Sequence, residues 1–201
     1  MSSSDVPTIW SEVDLAVVDV EGNGQQPPGL VELAVVPIVH GVIGEPTSWL
    51  LRPVEPIKHF ATRIHGITNQ DVADAPTLAA VRDEVLAALA GQAVVAHNAH
   101  VDVSVLTREL GDWQPPEVFD TLKLARRLLP GRASYKLGAL VEEFTLDQGL
   151  PGGLVPHRAT YDALVAARLF VHLMTGASGD VLTLGELRGE PVLGATDDAL
   201  F

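Results

Sequence analysis

The stretch Leu15-Ala16-Val17-Val18-Asp19-Val20-Glu21 is an apolar, valine-rich run that ends in two carboxylates. The run from Leu15 to Asp19 predicts a buried strand, because short β-branched runs are typical of strands covered on both faces. Side chains alternate along a strand, so Asp19 and Glu21 are expected to project from one face. Crowded carboxylates are costly unless a cation neutralises them, which makes this pair a candidate metal site. The alternative is that the strand has simply reached solvent and carries surface acids.

The elements that follow this strand set the fold class. Two more strands are expected over Val31–Val39 and around Ser48–Leu51, joined by a hairpin at residues 41–44. Apolar spacing then becomes helical, and helices alternate with strands at residues 93–96 and 118–119. The helices are expected at residues 78–89, 101–110, 122–129, 135–144 and 158–174. A meander followed by this alternation predicts an α/β protein with a mixed five-stranded sheet flanked by helices, an order compatible with a ribonuclease H-like fold.

Length and composition restrict the domain organisation. The 201 residues suit one domain, expected over residues 13–176, with an N-terminal extension (1–12) and a loosely attached, Gly- and Asp-rich C-terminal tail (177–201). The absence of cysteine excludes disulfides, thiolate metal sites and cysteine nucleophiles. No membrane-spanning stretch and no secretory signal are visible, so a cytoplasmic location is expected and no membrane partner.

Charge limits how the chain could meet nucleic acid. Its 13 basic and 26 acidic residues leave a net charge of −13. A protein this acidic cannot hold nucleic acid through a broad basic surface. A nucleic-acid role would therefore need a local site that overcomes the general repulsion, and divalent cations are the natural device.

Two more acids stand at expected helix starts. Asp102 follows His97-Asn98-Ala99-His100-Val101, and Asp162 closes His157-Arg158-Ala159-Thr160-Tyr161-Asp162. Each alone reads more simply as a first-turn acid stabilised by the helix dipole. With Asp19 and Glu21, however, they can converge on one point of a sheet–helix fold. Four such carboxylates would require two Mg²⁺ or Mn²⁺ ions about 4 Å apart, the device that cleaves phosphodiesters, and a neutral histidine beside them could act as base.

The three motifs around these acids together resemble, in order, those of the DEDDh 3′–5′ exonucleases. These DnaQ-like proteins include the proofreading epsilon subunit of bacterial DNA polymerase III. The connectors Ile64-His65-Gly66-Ile67-Thr68 and Phe119-Asp120-Thr121-Leu122 also look like that family, and the resemblance covers roughly residues 13–174. It implies a ribonuclease H-like fold, two divalent cations and release of nucleoside 5′-monophosphates from 3′ ends. By position it implies Asp19, Glu21, Asp102 and Asp162 as metal ligands, Asp19 bridging both ions, and His157 as general base.

The sequence departs from the family at two positions. Gly22 replaces the usual threonine after the glutamate, and Val101 replaces the usual phenylalanine before Asp102. The glycine keeps its backbone N–H but lacks a hydroxyl to grip the terminal nucleotide. Asn23, which follows it, is either a substrate contact or part of a tight turn with Gly24.

Six residues are candidate substrate contacts: Gly22, Asn23, His65, Asn98, Arg132 and Lys136. His65 is expected in a loop, and Asn98 could instead orient the Asp102 segment. Arg132 and Lys136 belong to the densest basic stretch, which either follows the phosphates of a bound strand or is a solvated surface. Asp120, between a strand and a helix, is expected to cap the helix rather than to bind metal.

The resulting hypothesis is a metal-dependent 3′–5′ exonuclease acting on single-stranded or frayed DNA. Three alternatives stay open: trimming of RNA 3′ ends or oligoribonucleotides, another metal-dependent phosphohydrolase, and a nuclease-fold adaptor without activity. A polymerase is one possible partner. The C-terminal Leu200-Phe201, which follows acidic residues, vaguely resembles peptides that dock on sliding clamps, so a clamp is a second possible partner.

Overall fold

The computed structural model describes residues 9–175 and 182–189. A short 3₁₀ helix covers Trp10–Glu12. The strands are β1 (Leu15–Gly22), β2 (Leu30–Val39), β3 (Val42–Ile43), β4 (Thr47–Leu50), β5 (Ala93–Ala96) and β6 (Val118–Asp120). The helices are α1 (His59–His65), α2 (Leu78–Leu89), α3 (His100–Leu110), α4 (Thr121–Leu128), α5 (Leu137–Phe144), α6 (Ala159–Met174) and α7 (Leu184–Arg188).

The six strands form one mixed sheet with the order β3-β2-β1-β5-β6, and β4 lies off this path and pairs with β2. β1 runs antiparallel to β2 and parallel to β5, which in turn is parallel to β6. β1 pairs with one edge of β2, and β3 and β4 both pair with the opposite edge. β3 and β4 together therefore occupy the position of a single outer strand. The sheet is therefore five strands wide, and the predicted α/β, ribonuclease H-like architecture is confirmed, with the two-residue β3 as an addition.

Alternation along β1 divides the core into two layers. Val17 faces the layer built by α4, α5 and α6, whereas Ala16 and Val18 face the layer built by α2 and α3. Because Asp19 and Glu21 continue the alternation from Val17, they emerge on the side of α6. The sheet thus directs both carboxylates towards the helix that carries Asp162.

Helix α6 lies across the centre of the sheet. Eleven of its 16 residues are buried, and it packs against both β1 and β2. This contact brings its N-terminal turn to the end of β1 where the acids emerge. Within residues 9–175 and 182–189, no helix has both the length and the apolar character needed to cross a membrane.

Residues 182–189 differ from the loosely attached tail expected there. Leu184 and Leu187 of α7 are buried in the core, and Thr183 forms a β-bridge with Ile9. Arg127 donates hydrogen bonds to the carbonyls of Glu186 and Leu187 at 2.9 and 3.0 Å. Apolar burial thus attaches this segment to the domain, while the domain boundaries themselves stay a prediction. The Leu200-Phe201 pair lies outside the described residues.

Candidate active site

Three carboxylates meet at the end of β1. Oxygen atoms of Asp19, Glu21 and Asp162 all lie within 4.8 Å of one another. Asp19 and Glu21 share one face because they are two residues apart on the strand, as predicted. Asp162 reaches them from the first turn of α6. Two distant segments of sequence are therefore joined by the packing of this helix on the sheet.

Asp102 approaches the same place from the other side of β1. It lies in the first turn of α3 and is 5% exposed. Its Oδ1 accepts a hydrogen bond from the backbone N–H of Val20 at 3.1 Å. Its charge is also one of the causes that raise the pKa of Asp19. The structure thus brings the four predicted acids into one neighbourhood, with Asp102 outside the tightest group of three.

His157 lies just before α6, as the sequence predicted. Its backbone N–H donates to Oδ2 of Asp162 at 3.0 Å, and its side chain is exposed. Its φ of 62° is in the left-handed region, which a non-glycine residue adopts only where its surroundings hold it. The imidazole thus stands at the rim of the acid cluster on a fixed backbone.

Burial and mutual repulsion perturb the acids strongly. Burial raises the pKa of Asp19, and the charges of Asp102, Asp162 and Glu21 raise it further. Burial, with the charge of Asp162, raises the pKa of Glu21 to about 8, and burial raises that of Asp102 to about 7. Burial also raises the pKa of Asp162, against the opposing effect of His157. An added cation would remove much of this electrostatic cost.

The donor set of this cluster fits divalent cations. Oδ2 of Asp19 is buried and has no hydrogen-bond partner among the described residues. An oxygen in that state forfeits solvation unless something positive occupies the space beside it. Clustered carboxylate oxygens are the ligands that Mg²⁺ and Mn²⁺ prefer. Asp19, Glu21 and Asp162, with Asp102 alongside, are thus suited to hold such ions.

Hydrogen bonds of the Asn23 side chain organise the loop after Glu21. Asn23 is 1% exposed, its Oδ1 accepts from the N–H groups of Gln25 and Gly29, and its Nδ2 donates to the carbonyl of Glu55. Asn23 therefore organises the loop through its side chain, as the alternative turn role predicted, and its assignment as a substrate contact stays a prediction. Gly22 is extended, and a Cβ there would lie 3.2 Å from Cβ of Pro28. A larger residue at this position would therefore require Pro28 to shift by a few tenths of an ångström.

His65 also lies elsewhere than expected. It is the last residue of α1 rather than part of a loop, and it is 5% exposed. Its Nδ1 accepts from the N–H of Ile67 at 3.0 Å, which places Nε2 in a buried position without a partner among the described residues. Burial lowers the pKa of this imidazole, and the nearby backbone of Gly22 opposes that shift. His65 thus packs in the protein interior next to Gly22, at the start of the loop that follows Glu21.

The segment between β5 and α3 is held by Asp120. Its Oδ1 accepts from the N–H groups of Leu122 and Lys123 at the start of α4, which confirms the predicted cap. The same oxygen accepts from the N–H of Asn98 at 3.1 Å. Asn98 has a φ of 69°, a conformation that asparagine tolerates better than most residues. Its role as a substrate contact stays a prediction.

Of the predicted basic contacts Arg132 and Lys136, Arg132 already interacts with other side chains of the protein. Nε of Arg132 donates to Glu143 at 2.9 Å, and the guanidinium lies 5.3 Å from the centre of the Phe144 ring. Lys136 is exposed at the N-cap of α5. Of the two predicted phosphate contacts, Lys136 is thus the one whose side chain faces solvent. The contacts of Arg132 with Glu143 and Phe144 give it an intramolecular role.

Glu32 and Arg158, to which the sequence assigned no role, form an ion pair beside the acids. The guanidinium makes two contacts, 2.6 Å from Nη2 to Oε1 and 3.0 Å from Nε to Oε2. A signal existed, because Glu32 is the one acid within the apolar run Val31–Val39. His97 was also passed over. Its ring nitrogens contact Oγ1 of Thr121 at 2.9 Å and the carbonyl of Tyr135 at 3.0 Å.

Known proteins resemble this chain in both sequence and fold. A family model described as "Exonuclease" (RNase_T) matches residues 16–170. Exodeoxyribonuclease 10 of Escherichia coli (strain K12) is 37% identical over 182 residues, which cover 90% of this chain and 78% of that protein. DNA polymerase III subunit epsilon of Rickettsia conorii (strain ATCC VR-613 / Malish 7) is 29% identical over 172 residues, 80% of this chain and 73% of that protein.

A solved structure extends the likeness to three dimensions. Exonuclease X in complex with 5′ overhanging duplex DNA is 36% identical, superposes with a TM-score of 0.70, and matches 86% of this chain and 98% of that one. The family model spans most of the chain, and the matched residues include Asp19, Glu21, Asp102 and Asp162. The chain therefore belongs to the exonuclease family as a DnaQ-like 3′–5′ exonuclease.

Proposed function

We propose that this protein uses divalent cations to release nucleoside 5′-monophosphates from the 3′ end of single-stranded or frayed DNA. The observation that carries the proposal is the clustering of Asp19, Glu21 and Asp162 oxygens within 4.8 Å. Clustered, partly buried carboxylates with raised pKa values are typical of sites completed by metal ions. In a chain with a net charge of −13, such ions would offset the general repulsion of a phosphodiester.

The residues of the site divide the chemistry among them. Asp19, Glu21, Asp102 and Asp162 would hold the cations, which when bound acidify water and polarise the scissile phosphate. His157 would accept the proton of the attacking water at an imidazole nitrogen. Its backbone is fixed by the 3.0 Å hydrogen bond to Asp162, so proton acceptor and ligand move as one unit. The exposed position of His157 leaves room for a strand end to enter.

The relatives support DNA as the substrate class. The E. coli protein with 37% identity is named an exodeoxyribonuclease, and the solved relative with 36% identity holds duplex DNA with a 5′ overhang. In such a duplex the recessed end is a 3′ end, which fraying presents as a short single strand. We extend this preference to the present chain. Oligomers of RNA serve as the competing substrate in the test.

The decisive experiment is digestion of a 5′-labelled DNA oligomer. Wild-type protein with Mg²⁺ or Mn²⁺ is expected to produce a descending ladder and mononucleotides, and EDTA is expected to stop the reaction. Asp162→Asn keeps an oxygen that can accept from the His157 N–H but removes the charge, so its rate should fall by about 100-fold or more. Asp83→Asn, which changes an exposed acid of α2, is the matched control and should retain full rate.

Three other results would contradict the proposal. Faster digestion of a matched RNA oligomer would assign the protein to RNA 3′ ends. Cleavage that persists in EDTA or in Asp162→Asn would remove the carboxylate cluster from the mechanism. Folded protein that cleaves neither polymer with either cation would favour the adaptor hypothesis.

Partners and location stay predictions. One relative is a subunit of DNA polymerase III, which motivates a pull-down with polymerase and sliding-clamp components. Loss of clamp binding on truncation of Leu200-Phe201 would support that contact, and no binding by the full chain would exclude it. The predicted cytoplasmic location is checked by fractionation.

A further inference from the structure

Glu32 is a buried acid on the same face of the sheet as the active-site carboxylates. It is 5% exposed and lies directly opposite Glu21 in the antiparallel pairing of β1 and β2. Directly paired residues share a face, so Glu32 adds a further negative charge beside the cluster. A carboxylate in that position is unfavourable unless it is fully paired.

Its partners come from the segment that precedes and opens α6. Oε1 and Oε2 of Glu32 accept from Nη2 and Nε of Arg158 in a bidentate arrangement. Oε2 also accepts from the backbone N–H of Ala159 at 2.9 Å. That N–H is one of the four at a helix start which the helix itself cannot satisfy. A side chain of the sheet thus supplies the cap of α6.

The contacts of Glu32 lie next to His157 and Asp162, the proposed general base and one proposed metal ligand. Arg158 directly follows His157, and Ala159 lies three residues before Asp162. Glu32 holds the backbone at 158–159, while the His157 N–H closes onto Asp162. The strained φ of His157 therefore lies between two anchored points, where it cannot relax without breaking one of them.

We propose that Glu32 and Arg158 act as a positioning pair, which fixes the start of α6 so that Asp162 and His157 meet Asp19 and Glu21. The inference rests on the proposed function, since it concerns the same site. Neither residue is placed in contact with the reacting atoms. The pair acts through the backbone that it clamps.

The ion pair between Glu32 and Arg158 is expected to contribute little to the free energy of unfolding. A buried ion pair gains little over apolar residues of the same volume, because the desolvation of both charges offsets their attraction. What the pair supplies is geometry: two parallel hydrogen bonds and a third to the helix start define one orientation. Groups behind a metal site that orient its ligands commonly change affinity or activity by about 10–100-fold when altered.

Glu32→Gln is the variant that tests the pair. It preserves volume and one acceptor oxygen, but its amide NH₂ faces the N–H groups of Arg158 and breaks the bidentate contact. The matched control is Glu117→Gln, because Glu117 forms a similar bidentate pair with Arg188 on the surface, at 2.7 and 3.0 Å. Arg158→Lys is a second variant, which keeps the charge but removes the planar fork.

Two measurements separate positioning from general folding. For the proposed activity, kcat of Glu32→Gln should fall by about 10–100-fold, while KM for the DNA oligomer changes less than about threefold. Independently of activity, the affinity of the metal-free chain for Mn²⁺ should fall by about tenfold, because Asp162 no longer sits against Asp19. Arg158→Lys should give smaller losses in the same direction, and Glu117→Gln none.

Each outcome has one meaning. Unchanged kcat and Mn²⁺ affinity in folded Glu32→Gln would overturn the positioning role. Equal losses in Glu117→Gln would show a general effect of losing an ion pair and would overturn it too. If Glu32→Gln does not fold, Arg158→Lys decides, and wild-type values in that variant refute the pair. If the wild type degrades no nucleic acid yet Glu32→Gln weakens Mn²⁺ binding, the proposed function fails while the positioning role stands.

Discussion

The backbone N–H of Val20 donates a hydrogen bond to Oδ1 of Asp102 at 3.1 Å. Val20 lies between Asp19 and Glu21, so this bond ties the start of α3 to the strand at the point where its acids emerge. This hydrogen bond therefore fixes the proposed metal ligands Asp19, Glu21 and Asp102 relative to one another through the backbone of β1. Such preorganisation avoids the cost of arranging the site at the moment of reaction.

Replacement of Asp102 should separate its two roles. Asp102→Asn keeps an oxygen for the Val20 N–H but removes the charge, so turnover should fall by about 100-fold or more with little change in Tm. Asp102→Ala also leaves the Val20 N–H without an acceptor, which should lower the free energy of unfolding by a further ~1–3 kcal/mol. Turnover assays and urea unfolding of both variants test this. Equal stability of the two would show that the Val20 bond contributes little.

The metal-free chain should lose stability as pH rises. The folded pKa values of the acids lie above their usual values, about 8 for Glu21 and about 7 for Asp102. Their contribution is therefore fully present below about pH 4 and is lost as pH rises through these folded values. In EDTA, Tm should fall between about pH 5 and pH 9, and Asp19→Asn should flatten that fall. A Tm in EDTA that rises over this interval would contradict the repulsion described for the cluster.

Divalent cations should reverse this loss. Ions that bind the folded chain alone raise its stability by mass action, and they bind deprotonated carboxylates best. Mn²⁺ should therefore raise Tm more at about pH 8 than at about pH 5, and Asp19→Asn should show a smaller rise at both. Thermal melts with and without Mn²⁺ test this, with Asp83→Asn as control. An equal rise in Asp19→Asn would place the stabilising ion elsewhere.

His157→Asn should remove the proposed proton acceptor without harming the fold. Asparagine adopts positive φ more readily than histidine, so the strained backbone at φ 62° is retained at no added cost. Loss of a general base typically lowers turnover by about 10²–10⁴-fold. The rate of mononucleotide release and Tm are the two readouts. A variant with near wild-type turnover would exclude His157 as the base.

Glu32 shows why sequence reasoning stopped short of the complete site. An acid inside an apolar strand is conspicuous, but the strand alone does not reveal which cation lies opposite. Its partner Arg158 is 126 residues away and meets it only because α6 crosses β2. For a related reason the sequence left open the role of Asn23 and misplaced His65 in a loop, since polar residues next to a motif can face either substrate or the protein interior. Only the burial of their side chains decides between the two.

Local rules were enough for other features. Period-two alternation set Asp19 and Glu21 on one face, and a strand-to-helix junction identified Asp120 as the cap of α4. Both depend on neighbours within a few residues. The sequence by itself thus determined the order of the main strands and of helices α2 to α6, identified the family and named the acids as candidates, whereas it did not predict β3, α1 or α7. The tertiary structure alone decided that Asp162 meets Asp19, that Glu32 clamps Arg158 and that α7 packs on the core, because contacts between distant segments follow from which apolar surfaces bury one another.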